Sequence, residues 1–252
     1  MNINEVKKGR RIVGTMIRFS RNSGICQIAK AAGLDFLMYD MEHGDYSLET
    51  FSDAARLARS IDLGILVRVP ELSKAWVSRV MDLGADGVMV PMISSREEAE
   101  KLVAWSRYVP LGKRGLSTVG PHTSMVRSPQ DVEEFMDQQN RNTLVIAQIE
   151  TSEGVNAINE IASVPGLDVL LIGPNDLAVS LGVPGDLTGS EVGDAIGQVA
   201  DAAEKNDKIF AMHAGGELMD RWITGNMGMV MSNMDIHILY DGLRDIARKF
   251  KN

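Results

Sequence analysis

Cysteine is nearly absent. Cys26 stands alone among 252 residues, which excludes an internal disulfide and a cysteine-based metal cluster. Positive charge is also scarce: 26 lysines and arginines face 34 aspartates and glutamates, a formal net charge of −8. No broad basic field is available to gather nucleic acid. No apolar run approaches the ~18 residues that a membrane span requires. The stretch Met1–Arg11 is polar and basic, with no apolar segment behind it, so a cytoplasmic protein without an export signal is expected. No low-complexity segment or shift of composition marks a domain boundary. No Gly-x-Gly-x-x-Gly follows the first apolar run, which counts against a doubly wound dinucleotide fold.

What recurs is a short apolar run, a helical pattern and another short run. The runs are Ile12–Ile17, Phe36–Tyr39, Ile65–Val69, Gly87–Val90, Leu144–Ile149, Val169–Ile172, Ile209–Met212 and Met229–Met231. Several are almost continuously apolar, as strands covered on both faces are. Helical spacing fills Leu48–Ile61, Ser73–Leu83, Ser95–Trp105, Asp131–Asn140, Val155–Ile161, Ser190–Lys205, Gly216–Thr224 and Ile236–Lys249, with Ser73 and Ser95 as N-caps. Eight strands alternating with helices predict a single (β/α)8 barrel domain over residues 1–252. The long link from Pro91 to Thr143 exceeds what one helix needs.

A barrel does its chemistry at the C-terminal strand ends. Those ends carry Asp40-Met-Glu-His43, Arg68, Gln148-Ile-Glu150, Gly173-Pro-Asn-Asp176, His213 and Ser232-Asn-Met-Asp235. Strand alternation puts Gln148 and Glu150 on one face and turns Arg68 inward between two valines. Glu150 and Asp176, oxygen ligands on neighbouring strands, suit Mg²⁺ or Mn²⁺-like ions. Arg68 suits a carboxylate or a developing enolate, and His43, oriented by Asp40 or Glu42, suits proton transfer. A Schiff-base route needs a lysine at an inner strand face. Only Lys208 borders a strand, at its wrong end.

At these residues the sequence resembles the HpcH/HpaI aldolase family, of the 2,4-dihydroxyhept-2-ene-1,7-dioate and 2-dehydro-3-deoxyglucarate aldolase type. The resemblance rests on six segments in family order: 33–43, Val67-Arg-Val-Pro70, 83–92, 107–115, Gln148-Ile-Glu-Thr-Ser-Glu-Gly154 and Ile172-Gly-Pro-Asn-Asp-Leu177. It implies a phosphoenolpyruvate/pyruvate-type TIM barrel and a class II aldolase of aromatic or sugar acid catabolism. Such an enzyme cleaves a 4-hydroxy-2-oxo acid to pyruvate and an aldehyde, using Mg²⁺, Mn²⁺ or Co²⁺ to hold the pyruvate enolate. It implies Glu150 and Asp176 as metal ligands, Arg68 as the enolate-stabilising residue and His43 with Asp40 as an acid/base dyad. Gln148, Gly173, Pro174 and Asn175 would line the pyruvate site. It further implies a homo-oligomer, hexamer or trimer, in which the last helix, about 236–252, packs on a neighbouring subunit.

Asn175 departs from the Gly-Pro-Ala-Asp of many members, and the segment after Gly115 departs from their longer basic and aromatic loop. The aldehyde side of the substrate is therefore expected to be read by Thr118–Arg127 and around His213 and Asp235. His122 is expected in solvent, His237 on a helix surface, Cys26 in the core, and the fifteen methionines as core filling. Two other readings remain open: a citrate-lyase-type lyase acting on an acyl-CoA thioester, and a catalytically silent barrel.

Overall fold

The computed structural model describes residues 3–126, 131–223 and 225–251. All eight runs are strands, four of them with the predicted ends. They are β1 (Ile12–Ile17), β2 (Phe36–Asp40), β3 (Gly64–Arg68), β4 (Gly87–Val90), β5 (Leu144–Ile149), β6 (Val169–Ile172), β7 (Ile209–His213) and β8 (Met227–Met234). Each pairs in parallel with the next, and β8 closes on β1. The helices are α1 (Ile3–Lys7), α2 (Ile25–Ala31), α3 (Leu48–Ser60), α4 (Lys74–Asp82), α5 (Arg96–Ser106), α6 (Val132–Arg141), α7 (Ser152–Asn156), α8 (Ile158–Ala162), α9 (Pro174–Ser180), α10 (Ser190–Lys205), α11 (Gly216–Trp222) and α12 (Asp235–Lys251). Ser73 and Ser95 cap α4 and α5 by accepting from the N–H groups of Trp76 and Glu98.

Alternation along the strands divides the core into two shells. Met16, Phe36, Met38, Leu66, Met89, Ile146, Leu171, Met229 and Met231 fill the barrel, and Ile3 and Val6 of α1 close its N-terminal end. Leu37, Tyr39, Val67, Ala147, Ile149 and Met212 face outward under the helices. Cys26 is buried there, its thiol 3.8 Å from the Ala54 carbonyl. Methionine suits the interior because an unbranched thioether fills irregular space.

Three expectations need correction. The predicted helix Val155–Ile161 is two short helices, α7 and α8, on either side of Ala157. The described part of the segment after α5, residues 107–126, does not reach the C-terminal mouth. Arg107 donates to the carbonyls of Gly166 and Asn140, and His122 is 2% exposed, its ring bonded to the carbonyls of Asp82 and Ser117. Asp82 and Asn140 lie in the last turns of α4 and α6, and Gly166 lies just before β6, all at the N-terminal face of the barrel. Residues 118–126 therefore sit at the opposite end from the candidate site of the same chain, and His122 is buried rather than solvated. Met1, Arg127, Thr224 and Asn252, named above, lie outside the described residues.

Candidate active site

The hub of the C-terminal mouth is Asp40, wholly buried at the end of β2. Strand pairing places Arg68 of β3 directly beside it. Arg68 Nε donates to Asp40 Oδ1 at 2.9 Å and Nη2 to Oδ2 at 2.7 Å, a two-pronged pair. Arg18, just beyond β1, adds Nε to Oδ2 at 2.5 Å. The backbone N–H groups of Glu42 and His43 also donate to Oδ1. Burial pushes the Asp40 carboxyl up, but Arg68 and Arg18 together hold it below its ordinary value.

The remaining face of Arg68 turns toward two further groups. Nη1 lies 2.9 Å from Glu42 Oε2 and 3.5 Å from Gln148 Oε1. Gln148 Nε2 donates to Glu150 Oε2 at 2.5 Å, so these two side chains do share the inner face of β5. Glu150 Oε1 accepts from the Met92 N–H at 2.9 Å. Met92 takes a left-handed backbone conformation (φ 59°), which a non-glycine residue adopts at some energetic cost. Glu150 is 2% exposed. Burial raises its carboxyl, the Met92 N–H opposes that, and Asp176 adds to the rise, which reaches about 7. Asp176 stands exposed in the first turn of α9, one residue beyond exposed Asn175.

Gly173 and Pro174 are buried between β6 and α9. A Cβ on Gly173 would fall 2.2 Å from Glu150 Oε2 and 2.6 Å from Gln148 Nε2. Glycine lets the backbone close on that carboxylate, and a side chain here would require the ends of Glu150 and Gln148 to shift.

The structure does not join the Asp40 carboxylate to the His43 ring. Of the two acids that could orient His43, Glu42 is the neighbour, its Oε2 3.8 Å from Nε2, and the ring is more than half exposed. What Asp40 holds of His43 is its backbone N–H. Asp235 is also not free to read a ligand: its carboxylate accepts from the N–H groups of Arg18, Phe19 and Ser20 at 2.7–3.0 Å. It ties the start of α12 to the end of β1. His213 lies at the mouth, half-buried, and His237 is exposed on α12. Arg18 escaped the sequence reading. It follows the first strand as Asp40 ends the second, so the same search at strand ends would have found it. The Met92 N–H carries no side-chain signal at all.

A closed parallel barrel with acids, arginine and glutamine gathered at its C-terminal mouth defines an α/β-barrel enzyme site. Residues 18–217 match the HpcH/HpaI aldolase/citrate lyase family, and the chain belongs to that family. Similar proteins include a 5-keto-4-deoxy-D-glucarate aldolase of Shigella sonnei, 30% identical over 226 residues, covering 89% of this chain and 87% of the relative. Among solved structures, an HpcH/HpaI aldolase from Desulfitobacterium hafniense DCB-2 superposes with a TM-score of 0.92 at 28% identity, covering 98% of this chain and 95% of its own. The citrate synthase SbnG follows the same path with a TM-score of 0.88 at 27% identity, covering 99% and 96%.

Proposed function

We propose that this chain is a divalent-metal-dependent aldolase. In this reading it is a carbon–carbon lyase that splits a 4-hydroxy-2-oxo acid into pyruvate and an aldehyde, working as one barrel domain over residues 1–252. The observation that carries the reading is the buried Arg68 guanidinium, clamped by Asp40 and turned toward Gln148 beside the Glu150 carboxylate.

The donor set fits a hard divalent cation. Glu150 and Asp176 offer oxygen ligands and leave positions open for substrate. They lie close enough for Asp176 to act on the Glu150 charge, and a cation relieves that confrontation. Glycine at 173 keeps the wall beside Glu150 free of a side chain. Glu150 and Asp176 would hold Mg²⁺, Mn²⁺ or Co²⁺. When bound, the ion polarises the 2-oxo acid and so stabilises the carbanion equivalent left at its methyl carbon.

The chain's own groups do the rest. Gln148 and the Gly173–Pro174 backbone bind the pyruvate half, with Asn175 at the rim. Arg68 places positive charge against the enolate oxygen as the carbon–carbon bond breaks. His43, beside Glu42, accepts the proton of the 4-hydroxyl in cleavage and returns it in condensation. Asp40 acts by holding Arg68 and the His43 backbone, not by carrying a proton.

The kinship with 5-keto-4-deoxy-D-glucarate aldolases supports a sugar-acid substrate, while likeness to the citrate synthase keeps an acyl-CoA lyase as the second reading. Pyruvate release from a panel of 4-hydroxy-2-oxo acids, with each metal and with chelator, tests the proposal alongside Glu150→Ala. Release that needs metal and disappears in the variant is expected. Release that survives both would overturn the metal site, and turnover only with a CoA thioester would favour the second reading. We further propose that copies associate through α12 into a trimer or hexamer in the cytoplasm.

A further inference from the structure

Two strand registers set three charges in a row across the mouth. β1 pairs with β2 through Met16–Met38 and Ile17–Tyr39, so Arg18, one step on, stands opposite Asp40. β2 pairs with β3 through Asp40–Arg68. Met16, Met38 and Leu66 fill the barrel, so the residue two further along each strand turns inward at the mouth. Cation, anion and cation thus follow one another from β1 to β3. The chemistry above uses Arg68 and Asp40 and leaves Arg18 without a part.

Arg18 is fixed at both ends. Its side chain gives Nε to Asp40 Oδ2 at 2.5 Å, the same oxygen that takes Arg68 Nη2 at 2.7 Å. Asp40 is its one ion-pair partner among the described residues. Its backbone N–H donates to Asp235 Oδ1 at 3.0 Å. A bulge brings that acid within reach. Two steps along β1, from Gly14 to Met16, match three along β8, from Met231 to Met234. Asn233 within the bulge takes a left-handed conformation (φ 64°), and Asp235 follows beside the end of β1.

The charges show what this arrangement does. Arg68 is shared by Asp40 and Glu42, two acids on one guanidinium. Those three groups alone would offer a developing enolate no net positive charge. Arg18 returns one positive charge to the cluster, from the strand on the far side of Asp40. It also keeps the Asp40 carboxylate from turning. Both prongs of the Arg68 pair then stay in place, with Nη1 toward Gln148.

We propose that Arg18 is a positioning residue for Arg68. It acts through Asp40, fixing that carboxylate and balancing its charge, so that Arg68 stays aimed and positive toward the enolate. The inference rests on the aldolase reading above and adds a residue to it. Its loss falls on turnover more than on binding, because the demand for positive charge grows as the enolate forms.

The test is exchange of pyruvate methyl hydrogens with deuterated water in the metal-loaded protein, which needs no aldehyde. Arg18→Met removes the charge, and Arg18→Lys keeps one that can reach Asp40. Arg18→Met should lower kcat for exchange about tenfold, the size of one charge-assisted hydrogen bond, with KM for pyruvate little changed. Arg18→Lys should recover most of the loss. Should Arg18→Met not fold, Arg18→Gln carries the same charge comparison. In an Asp40→Asn background no carboxylate remains to be held, and Arg18→Met should then add little. An unchanged kcat in Arg18→Met, or a rise in KM alone, would overturn the proposal. A tenfold loss that persists in the Asp40→Asn background would overturn it too, and give Arg18 a part independent of Asp40. A lysine variant no better than the methionine one would leave Arg18 a packing residue and overturn it as well. Wild-type protein that exchanges no pyruvate hydrogens would overturn the aldolase reading itself, and this one with it.

Discussion

At the scale of single residues, two buried acids have opposite settings. Asp40 is held ionised by two guanidiniums, whereas Glu150 is pushed toward its neutral form. A carboxyl whose pKa rises on folding favours the folded state while protonated. That contribution is complete below its unfolded value of 4.5 and is lost as pH rises through about 7. Metal-free protein kept in chelator should therefore lose stability from about pH 5 to about pH 8, by at most ~3 kcal/mol from this group. Glu150→Gln, fixed in the neutral form, should lack that component. Thermal unfolding of both proteins across the range checks it, and parallel curves would remove Glu150 as the source. Asp40 carries a different expectation. Asp40→Asn breaks the two-pronged buried pair and leaves Glu42 as the remaining acid on Arg68, a change worth about 3–5 kcal/mol at most. If Asp40 positions Arg68, kcat falls while the pH profile keeps its shape. A shifted profile would instead restore Asp40 as the partner of the His43 imidazole.

At the scale of elements, Gly173 is the junction of β6 and α9 that abuts the candidate site. Gly173→Ala drives a methyl group into the Glu150 carboxylate and the Gln148 amide, 2.2 and 2.6 Å away. Overpacking of this kind costs about 1–3 kcal/mol. Either Glu150 or the β6–α9 turn must move, and a misplacement near 1 Å costs on the order of a hundredfold in rate. Pyruvate methyl exchange should drop by that factor while circular dichroism stays that of wild type. Full exchange in the variant would show that the contact is slack.

The elements also show what was legible beforehand. Strands covered on both faces are nearly all apolar, so all eight runs were visible, and capping serines marked the starts of α4 and α5. Alternation correctly put Gln148 with Glu150 and Arg68 inside the barrel. Other features were hidden for physical reasons. Helix α9 begins in Gly173-Pro174, which reads as a loop when its burial against the barrel is unknown. The β8 bulge and the left-handed Asn233 are backbone events without a residue signature. The path of 107–126 under the barrel is set by tertiary hydrogen bonds from Arg107 and to His122, which no local pattern announces. Asp40 stands three residues from His43, a spacing that invites a dyad, yet the strand register gives its carboxylate to Arg68.

At the scale of the whole molecule, α12 is the part that one chain leaves unfinished. Ile236, Ile238, Leu239, Tyr240, Leu243, Ile246 and Phe250 are 43–75% exposed along a helix whose only buried residue is Asp235. An apolar stripe of this size is what the assembly through α12 proposed above requires. Beside it, Ile25, Ile28, Ala32 and Leu34 line an apolar groove of about 260 Å³ that also reaches Ile238 and Leu239. Asp235 fixes where α12 leaves the barrel, because three backbone N–H groups after β1 hold its carboxylate. The helix is thus pinned at its root and bare along its length, which suits packing on a second copy of the chain. Leu243→Asp with Ile246→Asp places two charges in the stripe without touching the root or the mouth of the barrel. Light scattering after gel filtration should show an oligomer for wild type and a protomer-sized species for the double variant, with secondary structure retained. An oligomer that withstands both charges would assign the interface to another face, and a monomeric wild type would refute assembly through α12.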